Sequence, residues 1–445
     1  MIGQAGQPAG RHPVDQVPRP ERLFVLGLQH VLIMYAGTVA VPLLVGSGLH
    51  LSRDVVALLV NADLFTCGIA TVIQSVGIGP VLGIRLPVVA GATFVAVTPM
   101  ILIGSHYGLP AMYGAVIASG VFGLVVARFY ASVLRFFPPL VTGTVITVIG
   151  LSLIGAGVGL IAGTDPTAPG YAQPSHLALA GAVIAAVLIL IRFLPGALGQ
   201  IAVLLGLIVG TLLAVPMGLV DFSGVAHAPP FGLTQPLRFG APQFNVAAVL
   251  SMCVVMLVTF TESTADMLAV GEMVEKEVRP PDLARGLATD ALSAVIAGVF
   301  NSFPDTAFAQ NVGLVGLTRV RSRWVVTVAG VILIVLGVLP PLGELVASLP
   351  QPVVGGASLV MFAMVTAVGI RTLHRVRFEG TNNLIVVATS LAVGMVPVVA
   401  PTVYKNFPTE FQVLFGSSIT STVVVVFALN LFFNHLPFRR AEGGA

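Results

Sequence analysis

The chain has 445 residues, 56% of them hydrophobic and 9% charged, with a formal net charge of +3 and a mean hydropathy of +1.00. Ordinary soluble domains are about 25% charged, so this composition excludes one. The basic residues fall in short clusters between apolar runs, which excludes a continuous phosphate-binding face and reads instead as a set of topology signals.

The tail to Pro20 is polar and Pro-rich and has no apolar h-region of a signal peptide, so the first apolar run is expected to stay as a membrane helix. Runs wide enough to span, at about 20 residues each, lie at about 23–47, 55–78, 110–134, 138–162, 176–194, 199–219, 245–270, 283–302, 323–343, 345–370, 381–400 and 413–435. Two further segments, about 87–104 and 304–318, are short and interrupted by small and polar residues, and read as broken crossings. The expectation is fourteen crossings. With both termini cytoplasmic, 18 of the 21 Lys and Arg then lie inside, leaving Arg53, Arg238 and Lys405 outside. The Pro-, Gly- and Phe-rich loop from about Leu219 to Asn245 leaves seven crossings on each side. An odd number per half predicts two inverted repeats, with the broken segments third in each half, the arrangement that places transporter sites at the bilayer midplane.

In the first broken segment Ala90–Thr93 are small or polar and Phe94 follows, offering backbone groups and a ring face to a planar ligand. Gln29 and His30 form a polar pair early in the first crossing; His30 is either a proton carrier or a packed, hydrogen-bonded histidine. The eighth crossing carries Glu262 and Asp266, four apart on one helical face with Thr259. Ionisable residues inside a membrane segment are costly and point to function. For Asp266 a bond to a neighbouring helix is an equal alternative. Asp290 in the ninth crossing sits on the small-residue stripe Gly286, Ala294, Gly298, so it faces a close neighbour, in a structural or a proton-relay role.

The stretch 301–323, NSFPDTAFAQNVGLVGLTRVRSR, places Asn301, Asp305, Gln310 and Asn311 between apolar runs. Polar, irregular backbone is tolerated at membrane depth only when buried in protein or lining a wet cavity. Gln310 offers a donor and an acceptor side by side, which suits the C=O/N–H edge of a heterocycle. Gln310 and Asn311 are also placed to begin a half-helix. Cys67 and Cys253 fall within apolar runs and imply neither a disulfide nor a metal site.

QNVGLVGLT followed by Arg319 resembles the signature of the nucleobase–ascorbate transporter family, also called nucleobase:cation symporter-2. Gln29-His30, Glu262 with Asp266, and Asp290 match that family's polar positions in helices 1, 8 and 9, so the likeness runs along essentially the whole chain. The resemblance implies an all-α polytopic membrane protein of 14 segments with short β-strands in segments 3 and 10. Its core domain would comprise residues 23–135 and 245–343, and its gate domain residues 136–219 and 344–436. Cytoplasmic tails 1–22 and 437–445 and a non-cytoplasmic loop 220–244 complete the division.

It further implies a homodimer in the cytoplasmic membrane that imports a purine base, xanthine or uric acid, together with a proton, without cofactor, metal or nucleic acid. Glu262 and Gln310 would hold the base, with backbone at Phe94 and Ala309. Asp290, His30, Asp266, Asn311 and Gln29 would couple the proton or brace the site. Uracil carriers resemble one another in having Glu at the Gln310 position, and Asp305 departs from the aromatic or small polar residues commoner at its place. A sulfate-type anion carrier on the same fold is the alternative from another class, opposed by Glu262, since a buried carboxylate repels an anion. An enzyme finds no support: HExxH, Gly-x-Ser-x-Gly and Cys/His metal sets are lacking.

Overall fold

A computed structural model describes residues 12–130, 137–168 and 170–435. Arg11, Arg135, Arg439 and Arg440, and the tail 437–445, lie outside the described residues. The chain is predominantly helical. Fourteen helices of ten residues or more occur among the described residues: α1 Pro20–Gly48, α2 Arg53–Val76, α3 Val97–Tyr107, α4 Leu109–Ala127, α5 Pro139–Ala162, α6 Pro174–Phe193, α7 Ala202–Ala214, α8 Val246–Met273, α9 Pro280–Phe300, α10 Ala309–Thr318, α11 Arg323–Gly337, α12 Gln351–Leu373, α13 Asn383–Val399 and α14 Ser418–Asn430. Several begin with proline in the first turn, where the missing N–H costs nothing. Asn301 closes α9 in the left-handed conformation (φ 60°), the usual way to stop a helix and redirect the chain.

Nine helices among the described residues are long and apolar enough to cross a membrane, or ten if α11 and the short helix Pro340–Ala347 count as one. That pair is bent by 81°, so the run expected at 323–343 is not straight. Pro340 and Pro341 explain the break, because proline removes donors and clashes with the preceding turn. Gly416 and Ser417 similarly separate Thr409–Phe415 from α14 within the run expected at 413–435. The expected broken crossings contain α3 and α10, of 11 and 10 residues, each preceded by a three-residue strand.

Those strands, β1 Ala90–Ala92 and β2 Asp305–Ala307, pair antiparallel with Ala90 opposite Ala307 and Ala92 opposite Asp305. Thr93 N–H donates to Pro304 O and Phe308 N–H to Val89 O, both at 2.9 Å, which extends the ladder at each end. The Thr71 hydroxyl of α2 meets the backbone N–H and C=O of Ala90 at 3.0 and 3.3 Å. In hydrocarbon such bonds are compulsory.

Helix packing follows glycine. A Cβ at Gly68 of α2 would lie 2.6 Å from Gly330 O of α11, and one at Gly120 of α4 2.7 Å from Ala291 O of α9. Only glycine lets backbones approach so closely. The two tight pairs exchange halves: α2 packs on α11, as α9 packs on α4, while α5 and α12 pack on each other.

Candidate functional site

Phe308 organises the meeting of the strands. It is the N-cap of α10, is buried at 3%, and its ring lies where Cβ atoms on Gly37 of α1 and Gly91 of β1 would stand, 2.5 and 2.6 Å away. That fit fixes the start of α10. Ala309 is exposed and Gln310 half-exposed directly after it, and the Gln310 carboxamide makes no hydrogen bond among the described residues. Asn311 turns inward instead: its Nδ2 lies 3.0 Å from His30 Nδ1 and donates to His30 O at 2.9 Å. The helix start thus splits two adjacent amides, one open and one used to tie α10 to α1. Gln29 is half-buried and makes no hydrogen bond among the described residues, where the bracing expected of the pair is made by His30.

On the other side of β2, α8 supplies Ser263, whose hydroxyl accepts from Ala307 N–H and pairs with the Thr306 hydroxyl, both at 3.0 Å. Glu262 precedes it, half-buried, with the Thr306 side chain within hydrogen-bonding reach and its Oε2 sealed from solvent without a partner. It borders a narrow pocket between α8 and α5 with Val141, Thr142 and Thr261. Asp266, one turn on, also carries an unpartnered Oδ2. Thr259 spends its hydroxyl on its own helix, donating to Val255 O at 3.0 Å. Phe94 follows β1 in a single 3₁₀ turn capped by Thr93, is 9% exposed, and meets Phe362 of α12 edge to face, centroids 5.6 Å apart. Ring edges and faces of this kind attract.

Asp290 is 1% exposed, with Gln74 of α2 donating to its Oδ1 at 2.8 Å, the Ser263 side chain within hydrogen-bonding reach, and its Oδ2, like that of Asp266, sealed without a partner. Gln74 also donates to Gly286 O at 2.9 Å and accepts from Ile84 N–H at 3.2 Å, so the amide is fully committed and clamps α2 to α9. Sequence reasoning passed over Gln74, Ser263 and Thr306. A glutamine inside an apolar run was the available signal for the first.

Around the strand pair, Phe94 follows β1, Ala309 and Gln310 follow β2, and Glu262 adjoins Thr306 at a narrow pocket, while Asn311 and His30 tie α10 to α1 and Asp290 joins α9 to α2. A cavity of about 420 Å³ lies elsewhere, between the ends of α1 and α5 and the start of α12, with His50, Arg53 and Gln351 in its wall. None of the expected residues lines it. What the strand site can do chemically is offer a carboxylate acceptor, a free carboxamide and an aromatic ring to a small planar polar molecule.

Comparisons with known proteins agree in kind. A model described as a permease family, Xan_ur_permease, matches residues 21–403. The chain is 45% identical over 437 residues to the uric acid transporter UacT of Escherichia coli (strain K12), covering 98% of this chain and 90% of that protein. It is 40% identical over 409 residues to the xanthine permease of Bacillus subtilis (strain 168), covering 92% and 93%. Among solved structures, the murine Solute Carrier 26 family member A9 anion transporter in the inward-facing state aligns with a TM-score of 0.65 at 14% identity, covering 94% of this chain and 69% of that one. At that identity the likeness is one of fold alone.

Proposed function

The chain belongs to the nucleobase:cation symporter-2 family of permeases, multi-pass membrane transporters and not enzymes, and on that premise we propose that it imports a purine base, uric acid or xanthine, together with a proton. The observation that carries this reading is the Gln310 carboxamide, without a hydrogen bond to the described residues, at the exposed start of α10, four residues past Thr306, which lies beside a Glu262 carboxylate whose Oε2 has no partner. A purine dione or trione presents alternating N–H and C=O groups in one plane. Glu262 accepts its N–H bonds, Gln310 pairs with a C=O/N–H edge, and the backbone of Phe94 and Ala309 adds further bonds. A carboxamide at position 310, rather than a second carboxylate, favours the xanthine and uric acid branch over a uracil carrier. A sulfate-type carrier shares the fold, but Glu262 repels an anion that brings no N–H donors.

Transport proceeds by alternating access in the cytoplasmic membrane, with both termini inside. The core domain is built from segments 1–4 and 8–11, and the gate from segments 5–7 and 12–14, in a homodimer. Fourteen crossings in two inverted halves are supported by the exchanged packing of α2 on α11 and α4 on α9 and by the distribution of Lys and Arg. Asp290 carries the coupling proton, with Asp266, His30, Asn311 and Gln29 holding its surroundings. In vesicles, labelled urate or xanthine should enter saturably under an inward proton gradient and stop entering with a protonophore. Equal uptake after collapse of the gradient rules out symport, and uracil as the only transported base removes the assignment to Gln310.

A further inference from the structure

Behind β2, α2 and the turn before the strand bring together a second group of acids. Asp63 and Cys67, four apart on α2, face Asp305 of β2, and all three are 0% exposed. Their carboxylate and sulfur atoms lie within 4.8 Å of one another. Cys67 Sγ is 3.0 Å from Asp305 Oδ1 and 3.8 Å from Asp63 Oδ1. The Ser302 hydroxyl donates to Asp63 Oδ1 at 3.1 Å and is itself 2.7 Å from the Thr66 hydroxyl. The Cys67 S–H and the Ser302 hydroxyl are thus offered to two carboxylates, with the Ser293 side chain also within hydrogen-bonding reach of Asp305.

The remaining oxygens make the independent observation. Asp63 Oδ2 and Asp305 Oδ2 are both sealed and both without a partner. The ion pairs among the described residues involve neither residue. Two adjacent buried carboxylates without a counter-charge are strongly unfavourable, and a divalent cation would cancel their charge.

We propose that Asp63, Cys67 and Asp305 form a binding site for a divalent transition-metal ion of the Zn²⁺ class, bridging α2 to β2. Metal bonds of about 2.3 Å to sulfur and about 2.1 Å to oxygen at a tetrahedral angle set a sulfur–oxygen edge of roughly 3.6 Å. The two sulfur–oxygen distances here, 3.0 and 3.8 Å, lie on either side of it. Ser302 supplies the outer hydrogen bond that orients the Asp63 carboxylate. A fourth position is left for water or a hydroxyl. Sequence spacing hides the set, because the third ligand stands 238 residues from the second. A bound ion would fasten β2, and through it the start of α10, to α2.

The test uses the full-length protein in lipid nanodiscs, on a Cys253→Ser background so that one thiol remains. Zn²⁺ should raise the midpoint of thermal unfolding saturably, and Co²⁺ should give a near-ultraviolet thiolate-to-metal absorption band. Cys67→Ser should abolish the band, Asp305→Asn should abolish the Zn²⁺-dependent rise, and Ser302→Ala should weaken apparent affinity about tenfold or more. If Asp305→Asn fails to fold, the Co²⁺ band in the parent and the Zn²⁺-dependent rise in the parent against Cys67→Ser decide alone. A Zn²⁺-dependent rise as large in Cys67→Ser and Asp305→Asn as in the parent assigns the metal to another place. No band and no rise in the parent leaves the acids holding protons only. Either result overturns the proposal.

Discussion

Glu262 on α8 and Asp290 on α9 are both carboxylates set deep in apolar helices, but their surroundings differ. Glu262 is half-buried beside the Thr306 hydroxyl, which Ser263 already shares, and it borders the narrow pocket between α8 and α5. Asp290 is sealed and gripped by an amide whose other bonds are spoken for. Each keeps one sealed oxygen without a partner, so exposure rather than spare acceptor capacity separates them, and the more exposed Glu262 is suited to meet a ligand. An acid clamped between two helices is suited to register their relative position. The difference separates holding a substrate from coupling its movement, and three substitutions probe that separation.

Glu262→Gln should have the largest effect on binding. It keeps the shape and removes the charge, and hydrogen bonds to charged groups contribute about 1.5–3 kcal/mol. Urate or xanthine affinity, by titration of purified protein, should fall about 10- to 150-fold at 1.4 kcal/mol per decade. An unchanged affinity would collapse the distinction between the two acids. Gln310→Glu comes next. It replaces an amide donor by a second carboxylate near Glu262, which two close acids accommodate poorly, so affinity should fall by about 1–3 kcal/mol. Xanthine binding as tight as in the parent would take Gln310 out of the site.

Asp290→Asn should have the smallest effect on binding and a large one on coupling. It mimics a permanently protonated acid while leaving an oxygen for Gln74 to donate to. Affinity should stay close to the parent while accumulation against a gradient, measured in vesicles with an imposed pH difference, is lost. Undiminished accumulation would make Asp290 structural and move the coupling proton to Glu262 or His30.

The residue types of this site were legible because polar side chains stand out in apolar runs. Glu262, Asp290, Gln310 and Asn311 needed no structure to be noticed. Their partners were not legible, since a partner is a fact of packing. Gln74 reaches Asp290 across 216 residues of sequence, and Asn311 reaches His30 across 281. The direction of each amide was equally hidden: nothing in Gln310-Asn311 says which one turns inward, and the seat of Phe308 on Gly37 and Gly91 decides it. Breaks inside apolar runs were concealed for a different reason. Hydropathy averages over a window, so the 81° bend after Gly337 left the run at 323–343 intact in composition, although Pro340 and Pro341 marked the spot.

The strand pair also has a consequence for how the protein is made. β1 is complete once residue 92 has left the ribosome, but its partner begins at Asp305. Until then the backbone of Gly91 and Ala92 has no ladder in a medium that supplies no water. Ala90 is spared, because Thr71 of the already inserted α2 meets both its polar groups. The first half of the chain therefore enters the bilayer with an unfinished edge held near its place by side chains of α2, Thr71 at Ala90 and Cys67 at Ala92. The binding site comes into being only when the second half arrives, so a prematurely terminated chain would leave a membrane intermediate with polar backbone to hide, the kind of defect that quality-control proteases can recognise.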